Sequence, residues 1–246
     1  MAGRRSDPRP GRPVVWVTGA SRGIGREIAK KFASIGCLVC LSAREERSLR
    51  NVQREIERSG GIALPVPCDF SETLTIVDAA KVIRQRAGGI DVLVNNAGVT
   101  VFKTFLDTTL GEFDEILDTN LHGPIVAIKS VLPGMIRRKR GWIINILSNA
   151  AIKTFEGASA YSATKAGMLG LSRVLREELK RYNVRVTSVI PGPTETRMWS
   201  APARRAYGPR MMSAKSVAEA VLAAYRMPED LVVDEIVVRP LLGDIE

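Results

Sequence analysis

Histidine is almost absent. His122 is the single one in 246 residues. A Ser-His-Asp hydrolase would have to use it as its base, and no G-x-S-x-G turn surrounds Ser148. Cysteine is nearly as scarce. Three cysteines are an odd number, which argues against a disulfide framework. Cys37 and Cys40 have C-x-x-C spacing, but no second Cys or His pair completes a zinc site, so no metal is expected. Three positions apart on a strand, they point to opposite faces and read as packing residues. No apolar run approaches the roughly 20 residues of a membrane helix. The first 13 residues carry Arg4, Arg5, Arg9 and Arg12 but no apolar stretch, so no secretory signal is expected. Pro8, Pro10 and Pro13 also oppose an amphipathic targeting helix. The expectation is a loose basic tail over 1–13, a single domain over 14–246, and a cytoplasmic protein with no membrane partner.

Aromatic residues are few as well, at 5%. The net charge is +10, much of it in the tail and in Arg137-Arg138-Lys139-Arg140. Neither cluster interleaves aromatics of the kind that stack on bases, so no nucleic-acid partner is expected. Cations suit a helix C-terminus, and the second cluster reads as a solvated helix end.

What the chain does have is 45% hydrophobic residues, enough for one sizeable core. They come as short Val/Ile/Leu runs alternating with helical patterns. Strands are expected over Val14–Thr18, Leu38–Ala43, Ile62–Pro67, Asp91–Asn95, Trp142–Ser148, Val184–Ile190 and Leu231–Arg239. Helices are expected from the first turn through Ile35, over Glu45–Arg58, Leu74–Arg86, Leu110–Arg137, Ala160–Arg181 and Ser213–Tyr225. The proline-rich Pro191–Gly208 reads as a loop with some local helix. Continuous apolar strands alternating with helices imply an α/β fold with a parallel sheet, doubly wound and covered on both faces.

The first strand runs into Thr18-Gly19-Ala20-Ser21-Arg22-Gly23-Ile24-Gly25 and then a helix. Glycines there let the backbone approach a pyrophosphate, and the helix start offers free N–H groups and positive potential. The spacing is G-x-x-x-G-x-G. TGASRGIG resembles the cofactor turn of the short-chain dehydrogenase/reductase family. In the same order follow Asp69, Asn95-Asn96-Ala97-Gly98, Ser148 with Tyr161-Ser162-Ala163-Thr164-Lys165, and Pro191-Gly192. The resemblance spans about residues 14–240. It implies a Rossmann fold and an oxidoreductase that passes a hydride between a nicotinamide dinucleotide and a carbonyl or alcohol carbon.

The resemblance also implies site residues. Gly19, Ser21, Arg22, Gly23, Ile24 and Gly25 would hold the cofactor phosphates. Asp69 would meet the adenine, and Asn96, Ala97 and Gly98 the ribose side. Pro191, Gly192, Thr194 and Thr196 would meet the nicotinamide side. The acidic residue that holds an adenine ribose in many such sites has no counterpart here: Ala43 stands in its place, followed by Arg44. Guanidinium groups bind phosphate bidentately, so Arg22 and Arg44 favour NADP(H) over NAD.

Tyr161 and Lys165 are four apart on a helix and share one face. A cation about 4 Å from a phenol, at an effective dielectric near 20, is worth roughly 4 kcal/mol, which would pull the phenol toward neutral pH. By resemblance Tyr161 is the general acid/base, and Lys165 also binds the cofactor. Ser148 polarises the carbonyl, and Asn120 holds a water beside Lys165. Three readings follow. The first is a carbonyl reductase acting on small-molecule ketones, aldehydes or hydroxy acids. The second is a 3-oxoacyl-[acyl-carrier-protein] reductase, whose acyl carrier protein the Arg137–Arg140 cluster could attract. The C-terminal segment departs from those reductases, which finish with a glycine-rich segment. The third is a cofactor-binding sensor without turnover, although such relatives lack the Tyr or Lys. Residues near Ile152–Phe155, Met198 and Trp199 are expected to wall an apolar pocket. A homo-oligomer, tetramer or dimer, is expected through the two long helices, with Ala166, Met168, Leu169, Leu175 and Leu179 as a stripe.

Overall fold

In the computed structural model, residues 11–228 and 230–243 are described. Most of the expected basic tail lies outside these residues. The strands are β1 (Val14–Thr18), β2 (Leu38–Ser42), β3 (Ile62–Pro65), β4 (Val92–Asn95), β5 (Gly141–Ile146), β6 (Val184–Pro191), β7 (Thr194–Glu195), β8 (Met212–Ser213) and β9 (Glu235–Val238). The α-helices are α1 (Gly23–Ser34), α2 (Glu46–Arg58), α3 (Thr73–Ala87), α4 (Leu110–Leu117), α5 (Gly123–Arg138), α6 (Ser159–Leu179), α7 (Ala201–Tyr207) and α8 (Ala214–Tyr225). Seven strands form one parallel sheet in the order β3-β2-β1-β4-β5-β6-β9. This is the doubly wound Rossmann arrangement expected.

The period of two along each strand decides which helices cover which face. Val15, Val17, Val39, Leu41, Val92 and Val94 point one way, onto Ile28 and Phe32 of α1, Leu49 and Val52 of α2 and Val217 and Val221 of α8. Trp16, Cys40, Leu93, Ile143 and Val186 point the other way, onto Ile76 and Ile83 of α3, Val131 and Met135 of α5 and Met168 and Leu169 of α6. Cys37 and Cys40 fall on opposite faces, both buried, and burial pushes their thiols up to about 11 and about 12.

Three elements differ from expectation. The last strand is shorter: before it the Ser188 N–H still reaches the Asp234 carbonyl at 2.9 Å, but the Val233 carbonyl is taken by the Thr187 hydroxyl at 2.7 Å. The loop after β6 contains α7 and a small second sheet of β7 against β8. The long helical region divides into α4, a π turn over Asp118–His122, and α5. Pro124 has no N–H to give the Asn120 carbonyl, so the α register fails there in any case. Gly123 instead donates to the Asp118 carbonyl, five residues back. The wide turn also admits a close approach, since a Cβ on Gly123 would stand 2.2 Å from the Phe70 carbonyl oxygen.

Candidate active site

The strand order reverses beside β1, where β4 takes its other edge, and the loops after β1 and β4 part company there. Ligands bind at such a switch point, at the carboxyl ends of the strands. Gly19 has φ +64, and a Cβ on it would stand 2.9 Å from Ala97 Cα. A Cβ on Gly25 would stand 2.4 Å from both the Gly19 carbonyl oxygen and Asn96 Nδ2. Only glycine lets the turn and the β4 loop pack this closely. Thr18 Oγ1 accepts from the N–H groups of Asn96 and Ala97 at 2.8 and 2.9 Å, and Asn96 Nδ2 donates to the Thr18 carbonyl at 2.9 Å. Asn96 is therefore a clamp between the two loops, which its motif alone did not reveal. The start of α1 has no side-chain cap and no acid in its first turn. Its N–H groups stay available to an anion.

Arg22 precedes α1 and is exposed, and Arg44 is exposed just past β2. Neither holds an ion pair among the described residues, whereas Arg26 is paired with Glu55 at 2.6 Å. Ala43 is anchored by the Cys68 N–H at 3.1 Å, which sets the ends of β2 and β3 side by side. Asp69 follows directly and is fixed by Ser71, whose N–H and hydroxyl reach its Oδ1 at 3.0 and 2.8 Å. At the other flank, Pro191, Gly192 and Thr194 are buried at the end of β6. Thr194 donates to the Gly192 carbonyl at 3.0 Å. The methyl of Thr196 would meet a Cβ on Gly23 at 3.4 Å, so the loop after β6 faces the start of α1. Ser21 and Ile24 are half-buried in the same turn.

Ser148 lies just past β5 and caps the short helical turn Asn149–Ala151, accepting from the Ala150 N–H at 3.2 Å. Its hydroxyl is the polar group that acts on the Tyr161 phenol, which is half-buried near the start of α6. Lys165, 5% exposed, sits one turn further on with its Nζ 5.5 Å from the Tyr161 ring centroid, and donates to the Ile146 carbonyl at 3.0 Å. Burial raises the Tyr161 phenol above its ordinary range, and the Ser148 hydrogen bond opposes this only in part. Burial likewise lowers Lys165 to about 8. The expectation that Lys165 pulls the phenol toward neutrality is thus not met in the protein alone. The ammonium is spent on a carbonyl of β5, and both groups lose water.

Asn120 is 2% exposed on the π turn. Its Oδ1 accepts from the Val99 N–H and its Nδ2 donates to the Val99 carbonyl, both at 2.8 Å. Its side chain thereby grips the β4 loop. Gly98 stands between Asn120 and Lys165: a Cβ there would lie 3.2 Å from Asn120 Oδ1 and 3.8 Å from Lys165 Nζ. The missing side chain keeps the passage between them open. His122 is exposed on the same turn. A cleft of about 600 Å³ between α2, β3 and α3 contains none of the expected site residues.

The family model described as short chain dehydrogenase matches residues 13–205. The chain belongs to this family. As a short-chain dehydrogenase it is an oxidoreductase, and its relatives match it end to end. Sepiapterin reductase of Chlorobaculum tepidum is 35% identical over 240 residues, covering 95% of this chain and 98% of that one. A metagenomic short-chain oxidoreductase solved in complex with NADP is 36% identical with a TM-score of 0.84, covering 95% and 99%. A variant of actinorhodin polyketide ketoreductase solved with NADPH is 31% identical with a TM-score of 0.87, covering 95% and 98%. No helix among the described residues of this short-chain dehydrogenase is long and apolar enough to cross a membrane.

The buried lysine carries a stability consequence. Its folded value of about 8 lies below the ordinary 10.5, so folding disfavours the ammonium. The penalty is full below pH 8 and fades as pH rises from 8 toward 10.5. A shift of this size corresponds to about 3 kcal/mol. Lys165→Met escapes the penalty but loses a charge-assisted hydrogen bond of about 1.5–3 kcal/mol, so the two roughly offset at pH 7. As pH rises from 8 toward 10.5 the wild-type penalty fades, and the melting temperature of the cofactor-free variant should fall relative to wild type by about 6–12 °C. Calorimetry of both proteins across that range measures it, and a Tm difference that does not change with pH contradicts the burial argument.

Proposed function

We propose that this protein is an NADPH-dependent carbonyl reductase, with Tyr161 as the proton donor. The observation that carries the reading is the convergence of Ser148, just past β5, with Tyr161 and Lys165 one turn apart on α6, the Lys165 Nζ lying 5.5 Å from the Tyr161 ring and donating to the β5 carbonyl of Ile146. NADPH, when bound, supplies the hydride. The uncapped start of α1 and the Gly19–Gly25 turn suit its pyrophosphate. Arg22 and Arg44 suit the 2′-phosphate, and two solved relatives hold NADP or NADPH. Asp69, Asn96, Ala97, Gly98, Pro191, Gly192, Thr194 and Thr196 would line the rest of the cofactor.

In the reducing direction Tyr161 gives its proton to the carbonyl oxygen. A phenol raised by burial is protonated at neutral pH, as a donor must be. Ser148 donates to the same oxygen and stabilises charge developing there. Lys165 would bind the nicotinamide ribose and return a proton to Tyr161. Asn120 is a positioning residue that holds the β4 loop through Val99. A panel of ketones, aldehydes, hydroxy acids and acyl thioesters, each with NADPH and NADH, tests the reading. Carbonyl-dependent loss of NADPH is expected, and its absence across the panel rejects it.

The carrier-protein reading is weaker. The Arg137–Arg140 cluster ends α5 and leads into the start of β5, at the sheet end opposite Ser148. Arg138 is engaged there with the Ile90 carbonyl at 2.7 Å. A homo-oligomer is also proposed, through a different face than the stripe named above. Met168, Leu169 and Leu179 are buried against the protein's own sheet, which anchors α6. The outward face of α6 presents exposed Ala163, Gly167, Gly170 and Val174, and α4 presents exposed Leu110. Sedimentation at micromolar concentration should show a dimer or tetramer, and a monomer alone contradicts it.

A further inference from the structure

The three tryptophans divide into two kinds. Trp16 and Trp142 are core residues, 0% and 4% exposed, and each donates its indole N–H to a buried hydroxyl. Trp199 lies outside the core in the loop after β6, with its ring stacked on Phe102 at a centroid distance of 5.8 Å and an interplanar angle of 24°. Phe102 is itself 54% exposed. Stacking there serves no core.

The sheet order shows where this pair stands. Phe102 belongs to the loop after β4 and Trp199 to the loop after β6. β5 lies between those strands, and Ser148 follows β5. The stack therefore bridges the two loops that flank the end of β5. Both loops are pinned at their feet by site residues. Val99 is held by Asn120 on both sides, and the Lys103 N–H donates at 3.0 Å to the carbonyl of Gly157, four residues before Tyr161. On the other side Thr196 rests against the start of α1. The two loop backbones are fixed at their feet, and the two rings meet between the loops.

Resting on the carbonyl-reductase reading, we propose that Phe102 and Trp199 are the two plates of a clamp for a flat substrate, which makes the preferred substrates aromatic or heteroaromatic carbonyl compounds. A planar ring is about 3.5 Å thick, so the plates must part by roughly that thickness to stack on both its faces. A saturated ring is thicker and puckered. It forces a wider opening and offers no quadrupole to either plate.

Benzamide and cyclohexanecarboxamide test this without turnover, since they differ in the flatness of the ring and not in the amide. Their affinities are measured by calorimetry with NADP saturating. Wild-type protein should prefer benzamide. Trp199→Leu and Phe102→Leu keep apolar bulk and should each reduce the preference by about 2- to 12-fold, while Trp199→Phe should retain it. Emission of Trp199, the one tryptophan outside the core, should respond to benzamide and not to the saturated amide. The matched pair benzaldehyde and cyclohexanecarbaldehyde with NADPH then gives the same ratio in kcat/KM. Equal affinity for the two amides, no measurable affinity for either, or a preference that survives Trp199→Leu overturns the clamp. A benzamide preference without reduction of either aldehyde supports the clamp and counts against the reductase reading instead.

Discussion

Tyr161→Phe is expected to lower kcat at least 100-fold while affinity for NADPH changes by no more than about twofold. General acid catalysis by a positioned side chain contributes about 10²- to 10⁴-fold, and here no second group is placed to supply the proton. Ser148 is engaged with Asn149 at 3.1 Å and with the phenol itself. Lys165 faces the Ile146 carbonyl at 3.0 Å, and His122 is exposed on the π turn. Removing the hydroxyl takes away little volume and leaves the ring packed, so the fold should hold. Affinity is read from the emission of bound NADPH, and the chemical step from single-turnover absorbance. A variant that keeps more than about a tenth of wild-type kcat moves the proton donor elsewhere.

The second large effect concerns cofactor choice. Arg44→Ala should weaken NADPH by about 10- to 150-fold and leave NADH nearly unchanged, since a charge-assisted hydrogen bond contributes about 1.5–3 kcal/mol. Arg22→Ala should act in the same direction, because both guanidinium groups stand exposed and without ion-pair partners among the described residues. Neither change should lower the Tm, as no internal contact is lost. Ala43→Asp should go further and invert the preference. A carboxylate there repels the 2′-phosphate and accepts the free ribose hydroxyl of NADH. The Cys68 N–H holds the Ala43 carbonyl at 3.1 Å, so the new side chain should not displace the strand end. Titrating both cofactors against wild type and the three variants decides the matter. Equal wild-type affinity for NADPH and NADH refutes the 2′-phosphate assignment, and so does an Arg44→Ala protein that binds both as before.

Much of this was legible in the chain itself. The alternation of Val/Ile/Leu runs with helical periods determined the parallel sheet and the order of its elements, because burial on both faces leaves a continuous apolar strand little choice. Gly19 and Gly25 after a buried strand marked a tight turn at the start of α1, since nothing larger than glycine admits the approach of the β4 loop. The four-residue spacing of Tyr161 and Lys165 determined that they share a face. Composition alone set aside disulfides and a histidine-based hydrolase.

Tertiary structure decided what depends on partners distant in sequence. A pattern of residues could say that Lys165 neighbours Tyr161. It could not say that the ammonium is given to the Ile146 carbonyl, 19 positions back, nor that lost water sets the phenol and Ser148 opposes it only in part. It gave Asn120 a water to hold beside Lys165 but not its grip on Val99, 21 positions back. It read Met168, Leu169 and Leu179 as a possible contact between subunits, because an apolar stripe looks the same whether it faces a second copy or the protein's own sheet. It placed Trp199 in a pocket wall and overlooked Phe102, since a stack between the loops after β4 and β6 exists only once β5 has been inserted between those strands. Periodicity and glycine act over a few residues and can be read along the chain; desolvation, hydrogen-bond choice and ring contacts depend on what the fold brings within a few ångströms.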